Sequence, residues 1–168
     1  MSKEIKTIEC RGKYIAYHLL LDGSGTHHMN VDGSGADKEF YRSPPAGKKW
    51  IIRKAMIKVE NVLLQNNNFG GVDTLPNGCL SKVKEDGVER NLWEFAINSN
   101  ADLLEMTHYA YSCTAGTDLI IMVWNFEADG SSLQLCSSCG DCIKFIVQDN
   151  LTGMSDFQVV IKGYEEDE

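Results

Sequence analysis

LSKVKEDGVERNLWEF, Leu80 to Phe95, decides the fold. Two extended runs flank Asp86-Gly87, and a two-residue hairpin turn needs φ > 0 at both central positions, which this dipeptide tolerates better than almost any other. The stretch therefore predicts an antiparallel pair. Working outward, KYIAYHLLL (Lys13 to Leu21), KKWIIRKAMIKVENVLL (Lys48 to Leu64), TDLIIMVWNFE (Thr117 to Glu127), CIKFIVQD (Cys142 to Asp149) and DFQVVIKGY (Asp156 to Tyr164) are rich in β-branched and aromatic residues. Clusters of Gly, Asn, Asp and Pro bound them: NNNFGG, LPNG, EDG, ADGSS and DNLTG.

SNADLLEMTHYAYS (Ser99 to Ser112) is the one helical candidate, with Asn100 placed as an N-cap, and it reads equally as a strand with a bent start. The expectation is at most one short helix. Turn-punctuated strands without βα alternation point to an antiparallel β-sandwich or barrel, and closure or double-sheet packing removes exposed edges. At 168 residues and 43% hydrophobic the chain suits one domain with its own core. The expected division is an N-terminal arm or edge strand over 1–12, a sandwich over 13–164 and an acidic tail over 165–168.

A net charge of −8 with scattered cations speaks against a nucleic-acid surface, which needs a concentrated positive face. The start, MSKEIKTIEC, has no apolar core of a secretory signal, and the longest apolar run, LIIMVW (Leu119 to Trp124), is far shorter than the roughly 20 residues of a membrane span. A soluble protein made in a cytoplasm is expected.

DGSG occurs twice, at Asp22 and Asp32. An EF-hand needs alternating oxygen ligands and a closing glutamate, whereas Thr26, His27 and His28 follow the first copy; a phosphate loop needs a lysine and a helix after its last glycine. Turn chemistry is the better reading.

NVDGSGADKEFYRSPPAGKKWIIRKAMIKVE (Asn30 to Glu60) and, later, IKFIVQDNLTGMSDFQVVIKGYE (Ile143 to Glu165) resemble small structural proteins of tailed-bacteriophage virions. In those proteins an Asp-Gly-Ser turn leads to an aromatic strand, Pro-Pro-Ala-Gly and a long strand, and the chain closes with an Asp-Asn-Leu-Thr-Gly loop and a strand ending Gly-Tyr. The resemblance implies a jelly-roll-like sandwich serving as a head decoration, vertex or collar protein. Its partners would be copies of itself, as a trimer or pentamer, and major capsid or neck proteins, with no nucleic acid and no membrane; it would reside in the virion. Its first and last blocks would share a sheet, with Ile52 or Ile57 beside Phe157, Val159 and Ile161.

CSSCGDC places Cys136, Cys139 and Cys142 at three-residue intervals. Cys-x-x-Cys suits a zinc knuckle because the turn brings both thiolates onto one ion, but no separate second pair stands elsewhere in the chain. Free thiols, a disulfide among the three and zinc are the readings, in that order. His27 and His28 are adjacent on an extended segment and point to opposite faces. No nucleophile elbow and no assignable base appear, so neither an enzyme nor a cofactor is expected. Phe69 and Leu75, in the loop Gln65 to Gly78, and the arm Met1 to Glu9 are the candidate protein contacts. The alternative is a carbohydrate-binding jelly roll, with Trp93, Trp124 or Tyr109 stacking on sugars.

Overall fold

The computed structural model describes residues 12–23, 27–61, 79–95, 108–114, 117–126, 132–148 and 150–168. The Asp86-Gly87 turn adopts φ 48° and 80° and joins β4 (Cys79–Glu85) to β5 (Val88–Phe95) in an antiparallel hairpin. Cys142 to Val147 forms β9, which pairs with the other side of β4, and β2 (Lys38–Arg42) completes the sheet in the order β2-β9-β4-β5.

The facing sheet runs β1-β10-β3-β7-β6, from β1 (Lys13–Asp22), β10 (Asp156–Asp167), β3 (Lys48–Asn61), β7 (Thr117–Asn125) and β6 (His108–Thr114). Strand β8 (Leu133–Cys136) pairs with β3 on the side that β7 occupies: β7 covers Lys54 to Asn61 and β8 covers Lys49 to Ile52. The two lie end to end along β3 on either side of Arg53, whose carbonyl accepts the Phe126 N–H at 2.8 Å. The pairs β1·β10, β2·β9, β3·β7/β8 and β4·β5 are therefore nested, as in one long hairpin rolled into two sheets. That connectivity is a jelly roll with β6 added. The fold is all-β, with no helix among the described residues.

The first and last blocks do share a sheet. β3 pairs with β10 along its length, placing Val59 opposite Phe157, Ile57 opposite Val159 and Ala55 opposite Ile161. These residues and Ile52 are buried. Strict alternation would put Ile52 and Ala55 on opposite faces, and a bulge reconciles them: Lys54 pairs with Lys162 and Ile52 with Gly163, leaving Arg53 as the extra residue. A Cβ at Gly163 would stand 2.1 Å from the Ile51 carbonyl oxygen, so glycine is required where the backbones converge. From the facing sheet Ile143, Phe145, Val147 and Val83 close the core; the Phe145 and Phe157 rings meet 5.7 Å apart. Each such side chain contributes about 1.5–3 kcal/mol on burial.

The aspartate of each DGSG copy caps nearby backbone N–H groups. Asp22 accepts the N–H groups of Gly23 and Asn30, each at 2.9 Å, and Asp32 accepts the Ser34 N–H at 2.9 Å. The Pro-Pro-Ala-Gly stretch makes the bend into β3, with the Lys48 N–H on the Pro45 carbonyl.

The acidic run departs from its expected place outside the sandwich. Glu165, Glu166 and Asp167 continue β10 opposite Trp50, Lys49 and Lys48. Lys49 bonds Glu166 at 3.3 Å, Lys48 bonds Asp167, and the Trp50 indole N–H donates to Glu165 at 3.1 Å. Cations on the neighbouring strand offset the like charges that mark the run as a tail. From the helical candidate, His108 to Ser112 is strand; Asn100 and the rest lie outside the described residues, as do Phe69, Leu75 and Met1 to Glu9.

Candidate functional site

The loop from Cys136 to Cys142 carries the chain from β8 in one sheet to β9 in the other. Its bend is closed by Gly140 N–H on the Ser137 carbonyl at 3.1 Å and Asp141 N–H on the Cys136 carbonyl at 3.2 Å, with Gly140 at φ 69°. Asp141 is 3% exposed, and each carboxylate oxygen accepts one bond: Oδ1 from the Asp86 N–H at 3.0 Å and Oδ2 from the Cys136 N–H at 2.8 Å. One side chain thus ties the sheet-crossing loop to the β4–β5 turn.

That tie brings Asp86 beside the thiols. The Cys139 sulfur and one carboxylate oxygen each from Asp86 and Asp141 lie within 4.8 Å of one another. The neighbouring Cys136 thiol, then burial, with the Asp86 carboxylate adding to them, push the Cys139 thiol up to about 11. Negative or electron-rich neighbours disfavour the thiolate. Cys139 is therefore a protonated thiol at neutral pH, not a nucleophile.

On its other side the loop holds Glu168. The Cys136 thiol donates to Oε1, Ser138 Oγ donates to Oε1 at 2.6 Å, Ser137 Oγ to Oε2 at 2.7 Å, and the Ser138 N–H to Oε1 at 3.0 Å. These donors hold the Glu168 carboxyl at about 2, Cys136 having the largest effect.

The three cysteines do not act together. Cys136, Cys139 and Cys142 are unbridged, and Cys142 is buried at the start of β9 on the face opposite Ile143, opposite Lys84 on β4; burial raises its thiol pKa. A disulfide or metal reading that includes Cys142 is not supported by this placement. Sequence reasoning misses Asp86 and Asp141: Asp86 reads as turn chemistry, and 55 residues separate it from its partner.

A second feature lies where β1 and β2, edge strands of opposite sheets, run along the same side of the sandwich. Between them is a groove of about 670 Å³ lined by Tyr17, Leu20, Val31, Phe40 and Arg42. Arg42 spans it, donating Nε to the His18 carbonyl at 3.2 Å. Tyr14, Leu21 and Tyr41 stand on these two strands at 56%, 58% and 64% exposure, three of the four large apolar side chains exposed among the described residues. Of the rings suited by type to sugar stacking, Trp124 is in the core; Trp93 and Tyr109 stand in β5 and β6, their side chains outside the described residues.

No family model, curated protein or solved structure matches the chain.

Proposed function

We propose that this protein is a non-enzymatic structural subunit of a tailed-phage virion, a jelly roll that self-associates and binds the capsid shell or neck. The observation that carries the reading is the exposure of Leu21 and Tyr41 on the two edge strands that flank the β1–β2 groove, Leu21 lining it, with Tyr14 exposed further along β1 beside Tyr164. Apolar patches rimmed by polar residues mark association surfaces. The edges themselves are guarded against strand addition: β1 carries a bulge at Leu19, and β2 is five residues long with Lys38, Glu39 and Arg42. Contact through side chains, with closed cyclic symmetry, fits that arrangement better than indefinite sheet extension. The order of the two phage-like blocks supports placing the subunit on a virion, and the particle position would be shell, vertex or neck.

Light scattering on the purified chain tests this. A trimer or pentamer is expected, reduced to monomer by Leu21→Glu with Tyr41→Glu while the thermal melt is retained. A wild-type monomer at every concentration, also in the presence of capsid or neck proteins, would sink the reading.

A further inference from the structure

We propose that Cys136, Cys139, Asp86 and Asp141 form a binding site for a thiophilic divalent cation of the zinc type. The site is independent of the β1–β2 surface and of the assembly reading.

The donors come from two loops that the fold already holds together. Cys136 and Cys139 have the spacing that places two sulfurs on one ion, in a bend closed by Gly140 at positive φ. Asp86 enters from the β4–β5 turn, and Cys139, Asp86 and Asp141 offer ligand atoms within 4.8 Å of one another. Tetrahedral zinc with metal–sulfur and metal–oxygen bonds of about 2.3 and 2.1 Å brings its ligands to roughly 3.4–3.8 Å. Drawing the present cluster in by about 1 Å is within reach of side-chain rotation alone. Cys136 lies outside that set, its thiol on Glu168, and supplies the fourth donor by turning from that carboxylate.

The chemistry selects the class of ion. Two thiolates and two carboxylates carry the same formal charge as a four-cysteine zinc site, and sulfur donors disfavour calcium and magnesium. Asp141 spends one lone pair of each oxygen on the Asp86 and Cys136 N–H groups, which leaves the others for a metal and fixes the carboxylate's orientation. Its two hydrogen bonds do for this ligand what outer partners do in metal sites generally. A bound ion would displace the thiol protons and take Cys136 from Glu168, while the Ser137 and Ser138 donors keep that carboxylate in place. The result is a metal staple between the sheet-crossing loop and the β4–β5 hairpin.

The test uses the full chain, reduced with a phosphine that leaves no competing thiol, in equilibrium dialysis against Zn2+ and, separately, Cd2+ with the ultraviolet thiolate-to-cadmium absorption as readout. One ion per chain is expected, with the absorption present. Cys136→Ser and Cys139→Ser should each abolish the cadmium band's full intensity and lower affinity more than tenfold. Asp86→Asn keeps a turn-forming residue and should weaken Zn2+ about tenfold, while Cys142→Ser should bind as wild type. Zn2+ should raise the melting temperature of the wild type and not that of Cys139→Ser. Absence of stoichiometric binding by the reduced chain, loss of binding in Cys142→Ser, or equal binding by wild type and Cys139→Ser would overturn the proposal.

Discussion

The β3–β10 pair and the Cys136–Cys142 loop are specified in opposite ways. Along β3 and β10 apolar residues at period two define the buried face, and one residue of slip would turn that face to solvent, so register follows from a local pattern. The loop has no such pattern. Its position rests on single polar groups, above all the Asp141 carboxylate and its two N–H donors. Burial of apolar area is spread over many side chains and tolerates the loss of one, whereas a polar staple is concentrated and its loss is local.

Three changes sharpen or break that contrast. Phe145→Ala has the largest expected effect, because Phe145 is fully buried and packs on Phe157 across the two sheets. About 3–5 kcal/mol should be lost in denaturant unfolding, with the transition still cooperative. A cost below about 1 kcal/mol would mean the sheets are not packed through this ring.

Asp141→Ala comes next, at about 2 kcal/mol, since it strips partners from the Asp86 and Cys136 amides at a buried position. Hydrogen exchange should accelerate at those two amides while core amides on β3 and β10 keep their protection. Uniform acceleration across both sheets would erase the distinction between core and staple.

The same contrast separates what is legible in the sequence from what is not. The Asp86-Gly87 hairpin and the inward set Phe157, Val159 and Ile161 are local-pattern readings and hold; the pairing of the first and last blocks, which the jelly-roll resemblance implies, holds too, and where alternation offers Ile52 or Ile57 the Arg53 bulge buries both. Glu165 to Asp167 reads wrongly as a tail because charge alone says so, while the compensating Lys48 and Lys49 stand on a strand more than a hundred residues away. Cysteine spacing points to Cys136, Cys139 and Cys142 as one group. Cys142 stands buried at the start of β9, its direction set by that strand's alternation rather than by spacing. Asp86 and Asp141 carry no signal, since nothing in a turn dipeptide or a loop aspartate announces a contact across that separation.

The smallest expected effect concerns Glu168, the outermost member of the same loop cluster. Hydrogen bonds from Cys136, then Ser138 and Ser137, hold its carboxyl at about 2 against an ordinary 4.5. A depressed folded-state pKa means the clasp contributes in full above about pH 4.5 and is lost as pH falls toward 2. Following the Ser138 amide resonance through an acid titration should give a midpoint well below 4.5, moved upward in Cys136→Ala because the leading donor is gone. The same titration should leave core resonances still until the sandwich itself unfolds, since Glu168 is exposed and its donors are loop groups. A wild-type midpoint at 4.5 would show that the loop does not hold this carboxylate. The polar staple would then end at Asp141, and the Cys136 thiol would be free to turn toward Cys139 without giving up a partner.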